Sequence, residues 1–407
     1  ANFNEEYKDK GLQVEYVRYV NDDNGNLQLE TYLMGGGDVD LFIGYGGRTK
    51  MDKRVDSNLL LDMSGMLNDI GFNLDDELGV ANMAEYHYDD GAVYGFPTKY
   101  ENSRWILINE DMFKEAGLDI PYDGWTYSEF LADAEKLTHG EDQDKVYGVC
   151  WARKQSGKSI LYALDGVLGA NQIYKNEEGT EVNFDNDVYR AGFNLVKETL
   201  DKGYAIPIED EFSEDISVAN TFLQGKCAIM LGVAQMRLCM DQENYPHDFT
   251  TALVPAPVPD DEKYNTEFYR KQIGTTGAGD LLSISANTKY PEASFEFAMW
   301  YLKGGMSPLV QGGRIPLWNG VNKDEVLSVL KEKAQGSIDM DSMENYLSLD
   351  TTQGVAAIKG HASSEISSAW FEEFDAMCYG KQSVDQTVQN MEKRGNELIQ
   401  TELSSQK

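Results

Sequence analysis

Residues 152–159, which read ARKQSGKS, come closest to a known chemical motif. A phosphate-binding loop has the pattern G-x-x-x-x-G-K-[ST], and its first glycine makes the tight turn that aims successive N–H groups at phosphate. Ala152 stands in the position of that glycine. The formal net charge of −34, from 35 basic and 69 acidic residues, also opposes a phosphate ligand. We therefore interpret this segment as a solvated basic loop and expect no nucleotide site.

Other catalytic and metal-binding spacings are missing from the sequence. It contains no G-x-S-x-G nucleophile elbow, no H-E-x-x-H helix and no C-x-x-C pair. Residues 21–30, NDDNGNLQLE, have the residue types of a calcium loop in the wrong register. We expect no metal and no cofactor. A glycoside hydrolase needs only two suitably spaced carboxylates, so with 69 acids that class stays open as a less favoured alternative.

Composition limits the class of protein further. A chain of 407 residues with 41% apolar residues predicts two or three folded units with substantial cores. The strong negative charge argues against nucleic acid and anionic membrane surfaces as partners. No run of about 18 apolar residues is present to form a membrane-spanning helix.

The first hundred residues alternate between helical and extended patterns. Residues 3–10 predict a helix that ends at Gly11, residues 12–20 (LQVEYVRYV) predict a strand, and residues 40–44 (DLFIG) predict a buried strand. Such alternation predicts an α/β fold with mostly parallel sheets flanked by helices. Ligands of such sheets bind beyond the carboxyl ends of the strands, which makes Tyr45 a candidate binding residue.

Later segments carry clear local signals. Asn109 predicts a helix N-cap, and Thr126 with Glu129 predicts a capping box. CAIML (227–231) and LLSIS (281–285) predict buried strands. Most of the 23 Tyr, 16 Phe and 6 Trp rings are expected in the core, and the few that line a site could stack on the C–H faces of sugars.

Several ordered blocks resemble one family along nearly the whole chain. They are AVYGFP (92–97), INEDMFKEAGLDIP (108–121), GWTYSEFLADAEKLT (124–138), FLQGKCAIMLG (222–232) and DLLSISANTKYPEASFEFAMWYL (280–302). Their order and spacing resemble the family 1 extracellular solute-binding proteins, the receptors of ABC importers, which include maltose-binding protein. Ile108 departs from the tyrosine usual there, and the family's first strand and lipobox cysteine are not seen before residue 3.

The resemblance implies a two-lobed, periplasmic-binding-protein-like fold joined by crossing hinge segments. Lobe one would hold residues 1–111 and 266–322, and lobe two residues 112–265 and 323–407. It also implies a non-enzymatic receptor that captures a sugar or oligosaccharide between the lobes by stacking and hydrogen bonds, then delivers it to the permease by hinge closure. We expect a monomer outside the cytoplasm, either a cell-surface lipoprotein of a Gram-positive bacterium or a periplasmic protein.

Candidate ligand-binding residues lie where strands end or where the chain crosses between the lobes. They are Tyr45, Lys99, Tyr100, Asn102, Arg104, Trp151, Arg153, Gln235, Gly277, Asp280, Arg314, Trp318 and Trp370. Trp105, Trp125 and Trp300 are expected in cores instead. Two charged ligands stay open as alternatives. The basic candidates could hold an acidic sugar, and a carboxylate-rich cleft would suit a polyamine.

Overall fold

A computed structural model describes residues 2–18, 23–83, 85–102, 104–153, 173–213, 216–273, 280–350 and 360–405. The chain divides into two compact units. Unit 1 contains Ala1–Glu101 and Thr276–Val326, and unit 2 contains Asn102–Thr275, Leu327–Asp350 and Val355–Lys407. The chain thus leaves unit 1 after Glu101, whereas the sequence analysis placed that crossing after residue 111.

The described helices and strands alternate through both units. The helices are α1 (Asn2–Glu6), α2 (Asp23–Met34), α3 (Gly47–Asp56), α4 (Ser64–Asp69), α5 (Leu74–Leu78), α6 (Val80–Met83), α7 (Glu110–Glu115), α8 (Tyr127–Leu137), α9 (Asp187–Asp201), α10 (Ile208–Ser213), α11 (Met236–Cys239), α12 (Glu267–Arg270), α13 (Pro291–Trp300), α14 (Lys323–Ala334), α15 (Met340–Leu347), α16 (Ser363–Cys378) and α17 (Val384–Ser405). The strands are β1 (Leu41–Gly44), β2 (Phe96–Pro97), β3 (Lys99–Tyr100), β4 (Trp105–Asn109), β5 (Tyr147–Cys150), β6 (Cys227–Leu231), β7 (Thr251–Pro255), β8 (Leu281–Ile284) and β9 (Ile315–Pro316).

Unit 1 is built on a three-stranded sheet in the order β1-β8-β2. Strand β8 is antiparallel to both neighbours, so β1 and β2 point the same way on either side of it. Its core includes Leu33, Met63, Phe96, Ile284 and Ala298. Strands β3 and β9 form a separate antiparallel pair.

Unit 2 is built on a four-stranded sheet in the order β5-β6-β4-β7. Strands β5 and β6 are parallel, whereas β4 is antiparallel to β6 and to β7. Strands β5, β6 and β7 therefore share one direction, and β4 is the reversed strand. A large aromatic core that includes Phe113, Phe130, Phe193 and Phe374 packs on this sheet.

The expectation of mostly parallel sheets needs correction at the level of neighbouring strands. Strand-helix alternation did predict strands that share a direction. Each sheet also takes in one strand, β8 or β4, from a segment that has just crossed from the other unit. That strand is not linked to its neighbours by a helical crossover, so nothing requires it to run parallel to them. Because β8 and β4 lie inside their sheets, all four pairings that they make are antiparallel. The separate β3–β9 pair is antiparallel too, and only β5 and β6 pair in parallel among the named strands of the described chain.

The strand predicted over residues 12–20 was wrong in its described part. Residues 12–18 form no strand, and Tyr16 and Val17 are 84% and 76% exposed. The backbone of Val14 bonds instead to the side chain of Asn4, whose Oδ1 accepts from Val14 N–H at 2.8 Å and whose Nδ2 donates to the Val14 carbonyl at 3.0 Å. A side-chain amide thus takes the place of a neighbouring strand.

Local signals in unit 2 are confirmed. The Thr126 side chain accepts from Glu129 N–H and the Glu129 carboxylate accepts from Thr126 N–H, which completes the capping box of α8. The rings of Trp125 and Phe130 meet edge to face at 5.0 Å, as a hydrophobic staple requires. Trp105 and Trp125 lie in the core, as expected. The same expectation was wrong for Trp300 of unit 1, which is only half-buried and whose indole N–H donates to Glu6 at 2.7 Å.

Candidate functional site

One edge of the unit 1 sheet brings several predicted residues together. The strand register pairs Gly44 and Pro97 with Leu281, from the two sides of β8. Because β8 runs against β1 and β2, its amino end meets their carboxyl ends. Tyr45 therefore follows β1 at the same edge where Asp280 precedes β8 and the chain continues from β2 toward Lys99.

Lys99 is held by two carboxylates at this edge. Its ammonium group lies 2.8 Å from Glu101 and 2.8 Å from Asp280, and all three side chains are about one-fifth exposed. Burial acts to lower the pKa of Lys99, but the charges and hydrogen bonds of Glu101 and Asp280 outweigh it, so the pKa is raised. The lysine is charged, and its charge is already balanced.

Tyr45 and Tyr301 lie near enough to the Asp280 carboxylate for it to influence the pKa of each phenol. Burial raises the pKa of Tyr45, and the nearby Asp280 raises it further, while Arg314 and Lys99 oppose the shift. Burial also raises the pKa of Tyr301, which is influenced by Arg314, Tyr45 and Asp280. We call Tyr16, Tyr45, Tyr301, Lys99, Asp280 and Arg314 the unit 1 cluster.

Sequence reasoning missed two members of the unit 1 cluster. Tyr16 lies in the exposed segment before α2, near enough to contribute to the raised pKa of Tyr45 and of Tyr301. Tyr301 directly follows helix α13. The only sequence signal for either residue was its ring type, because each reaches the cluster from an element that does not end at this sheet edge.

Tyr100 and Trp318 lie on the β3–β9 side of unit 1. Tyr100 pairs with Ile315, the residue after Arg314, so it is a close neighbour of the cluster along the strand pair. Trp318 packs against the apolar core of unit 1, and its indole N–H donates to the Glu77 carboxylate at 2.7 Å. Its polar edge is therefore already bonded to helix α5.

Unit 2 has a comparable edge. The register pairs Trp105 with Pro255, Ile106 with Leu231 and Cys150 with Met230. The start of β4 therefore meets the ends of β5, β6 and β7. This edge carries Arg104, residues 151–153 after β5, and residues 232–235 after β6. The Ala256 N–H donates to the Arg104 carbonyl at 2.8 Å and ties the end of β7 to this edge.

Arg153 is fixed by helix α16. Its Nε and Nη2 donate to the two carboxylate oxygens of Asp375 at 2.8 and 2.9 Å. Its guanidinium carbon lies 4.1 Å from the ring centroid of Phe371 and 5.6 Å from that of Phe212. A forked ion pair between aromatic rings is a rigid arrangement, and it neutralises this arginine within unit 2.

Three predicted residues lie inside the core of unit 2. Trp151 and Trp370 are each 2% exposed and Asn102 is fully buried. The Trp151 indole N–H donates to Thr199 at 2.9 Å, and Trp370 stacks on Phe374 with ring centroids 5.0 Å apart. Rings enclosed in this way present no open face to a solute in this structure.

Asn102 and Gln235 each accept a hydrogen bond from an arginine two residues along the chain. Asn102 shapes the crossing, since its Oδ1 accepts from Arg104 N–H at 3.1 Å. Gln235 is half-buried and accepts from Arg237 at 2.9 Å. Gly277 lies outside the described residues, as does the basic segment from residue 154 onward.

Among the residues with described positions, no group of three or more His, Cys, Asp or Glu side chains is arranged to hold a metal ion. Within the same ranges, no helix combines the length and the apolar character that crossing a bilayer demands.

Comparison with known proteins places the chain in a class. The sequence pattern of the bacterial extracellular solute-binding proteins matches residues 1–303, and the chain belongs to that family. Solved structures agree on the fold. A sugar transporter from Rhizobium etli in an open conformation is 17% identical with a TM-score of 0.72, over 97% of this chain and 94% of that one.

Two further structures share the fold. An ABC substrate-binding protein from Listeria monocytogenes in complex with cycloalternan is 16% identical with a TM-score of 0.72, covering 97% of this chain and 94% of its own. A solute-binding protein from Agrobacterium vitis with bound D-mannitol is 18% identical with a TM-score of 0.60, covering 99% and 94%. The protein therefore has the two-lobed α/β fold of periplasmic binding proteins, as the sequence resemblance implied.

Proposed function

We propose that this protein is the sugar-capturing receptor of an ABC importer, with a neutral sugar or oligosaccharide as its solute. The observation that carries the proposal is the unit 1 cluster, in which Tyr45 and Tyr301 lie near Asp280 and Arg314, and Lys99 is paired with Asp280 and with Glu101 beside the cluster. Structural relatives solved with cycloalternan and with D-mannitol support a carbohydrate ligand.

The chemistry of the cluster suits a polyol. Tyrosine rings offer flat apolar faces to the C–H side of a sugar, and their hydroxyls bond at the rim. The carboxylate of Asp280 accepts hydrogen bonds and the guanidinium of Arg314 donates them. A sugar hydroxyl does both, so one ring can engage both types of group.

Charge balance favours a neutral solute over the charged alternatives. The ammonium group of Lys99 already has Glu101 and Asp280, and the guanidinium of Arg153 already has Asp375. An acidic sugar would have to compete with these carboxylates, and a polyamine would have to compete with the two cations. Breaking such partly buried pairs leaves an uncompensated charge, which costs several kcal/mol.

We further propose the transport cycle that the family resemblance implies. Each unit contributes one binding edge, and the solute stabilises a closed form by contacting both. The closed form delivers the solute, chemically unchanged, to the membrane permease. The receptor acts without catalysis, as a monomer outside the cytoplasm, either anchored as a lipoprotein of a Gram-positive bacterium or free in a periplasm.

A thermal-shift screen tests the ligand class. The panel contains cycloalternan, maltotriose, D-mannitol, glucuronic acid and spermidine. A ligand at 100 times its Kd stabilises a protein by about 2.7 kcal/mol, which is readily measured. We expect a neutral carbohydrate to raise Tm, and the raised Tm to be lost in Tyr45→Ala but kept in the exposed unit 1 control Tyr290→Ala.

Two results would reject the proposal. Stabilisation by glucuronic acid or spermidine alone would replace the neutral solute with a charged one. Recovery of a cleaved oligosaccharide after incubation would replace the receptor with a hydrolase.

A further inference from the structure

A carboxylate buried in unit 2 contacts the turn that follows β5, which we call the β5 turn (residues 151–153). Glu211, on α10, is fully buried. Its Oε2 accepts from the Arg153 backbone N–H at 2.5 Å, and the N–H groups of Ala152 and Trp151 also donate to this carboxylate. Its Oε1 lies 3.7 Å from the Cys150 thiol sulfur, within reach of a thiol hydrogen bond. Four donors thus converge on one side chain.

The backbone conformation explains the convergence. Ala152 has φ +50°, in the left-handed region that an alanine rarely adopts. A left-handed residue turns successive N–H groups toward one side and makes an anion-binding nest. Ala152 also opens the segment whose pattern approaches a phosphate-binding loop. The anion that occupies the nest here is the protein's own Glu211, which leaves these N–H groups engaged.

Helix α10 also contacts the arginine side chain of the same turn. Phe212, next to Glu211, lies over the guanidinium of Arg153. Asp375 and Phe371 of α16 hold the guanidinium from their side. Main chain and side chain of the turn are therefore both fixed, and the main chain depends on Glu211.

We propose that Glu211 is a positioning residue for solute binding, which fixes the β5 turn at the binding edge of unit 2. This inference rests on the proposed function, because it requires the solute to meet that edge. Loss of the carboxylate leaves three backbone donors without their acceptor and releases Ala152 from its left-handed conformation. The turn then moves, and solute binding weakens.

The ionisation of Glu211 makes the inference measurable. Burial raises its pKa to about 7, while the N–H groups that donate to it oppose the shift. The charged and titratable groups nearest to it are Cys150 from β5, Arg153 from the turn and Cys378 from α16, and Asp375 of α16 is paired with the Arg153 guanidinium. The ionised carboxylate accepts all the donors, and protonation removes part of that capacity. Affinity is therefore expected to fall as the pH falls through 7.

The first measurement needs no solute. NMR spectra of ¹⁵N-labelled protein follow the backbone amides of Ala152 and Arg153 from pH 5.5 to 8.5. In the wild type we expect both amides to shift with a midpoint near 7. Glu211→Gln should abolish that titration, and Asp133→Asn should keep it. Asp133 is a matched control, because burial raises its pKa to about 6 and the charged groups that influence it, Lys136, Glu129 and Asp119, are not part of the turn. Amides that still titrate in Glu211→Gln would overturn the proposal.

The second measurement is titration calorimetry at pH 8. Its ligand is whichever of cycloalternan, maltotriose and D-mannitol raises the Tm of the protein most in the thermal-shift screen. We expect Glu211→Gln to bind it about tenfold more weakly, the loss typical of a charge-assisted hydrogen bond. Wild-type affinity measured at pH 8 and pH 5.5 gives the same test without a variant. Unchanged affinity in Glu211→Gln, despite lost amide titration, would refute a role in binding. If no carbohydrate binds, the proposed function fails, while the amide titration still decides whether Glu211 fixes the turn.

Discussion

Replacing Lys99 by methionine tests the central ion pairs of the unit 1 cluster. The substitution keeps the apolar stem and removes the charge that separates Glu101 from Asp280, each 2.8 Å from the ammonium group. Breaking a fully buried pair costs about 3–5 kcal/mol. Since these side chains are about one-fifth exposed, water recovers part of that cost, and we expect a loss of about 2–3 kcal/mol.

Scanning calorimetry at pH 7.5 measures the consequence. Unit 1 has about 150 residues, a size at which 1 kcal/mol shifts Tm by about 2–4 °C, so its transition should fall by roughly 5–10 °C. Lys289→Met is the matched control, because Lys289 is an exposed lysine of the same unit. It should shift Tm by less than about 2 °C.

A second substitution separates charge from packing. Adding Asp280→Asn to Lys99→Met removes one of the two carboxylates left facing each other, so it should restore part of the lost stability. Two results would contradict this reasoning. In the first, Lys99→Met lowers Tm no more than the control Lys289→Met does. In the second, Asp280→Asn destabilises the Lys99→Met variant as much as it destabilises the wild type, which would mean that the two substitutions do not interact.

Three further predictions concern helix α8 and its contacts in unit 2. Thr126→Ala removes the capping bond to Glu129 N–H, so urea denaturation should show a loss of about 1 kcal/mol, and Thr126→Ser should restore most of it. Gly148→Ala would place a Cβ 2.2 Å from the Ala134 carbonyl oxygen, so this overpacking should cost about 3 kcal/mol or prevent soluble expression. Burial raises the pKa of Asp133 from 3.8 to about 6, so its contribution to stability is full below pH 3.8 and is lost as the pH rises through 6. Asp133→Asn should therefore stabilise unit 2 at pH 8 by about 1 kcal/mol, a figure reduced for solvent screening at this half-buried site, and its effect should disappear below pH 3.8.

Signals that depend on neighbouring residues could be predicted from the sequence. The cap at Asn109, the capping box at Thr126 and the proline that opens helix α13 all depend on contacts within one turn. The strands β6 and β8 were also predictable, because short apolar runs of this kind are buried wherever they pair. The family blocks then gave the fold as a whole.

Signals that depend on distant segments could not be predicted in the same way. The alternation in residues 12–20 predicts a strand only if another strand is available, and in the described residues 12–18 the backbone of Val14 bonds to Asn4 instead. The position of Trp151 after β5 was correct, but sequence position does not say to which side a ring turns. In the structure it turns inward, toward Thr199.

Glu211 shows the same difficulty for a charged residue. It is one of three acids in the helix IEDEFS, and nothing in that sequence distinguishes it from Glu209 or Asp210. The fold packs the turn that contains the left-handed Ala152 against Glu211, and this packing makes Glu211 a buried hydrogen-bond acceptor. A buried carboxylate with several backbone donors is therefore found from coordinates and not from motifs.

The reversed strands explain why the predicted residues gather where they do. At the candidate edge of each sheet, the strands that share one direction end and one reversed strand begins. The reversed strand is β8 in unit 1 and β4 in unit 2. The amino ends of these two strands are also the places where the chain has just crossed between units, near Asp280 and Arg104. Lys99 bonds to Glu101, the last residue before one crossing, and to Asp280, just after the next. One lysine thus joins two connecting segments on the unit 1 side, so a change at this position acts on the binding edge and on the connections through the same two ion pairs.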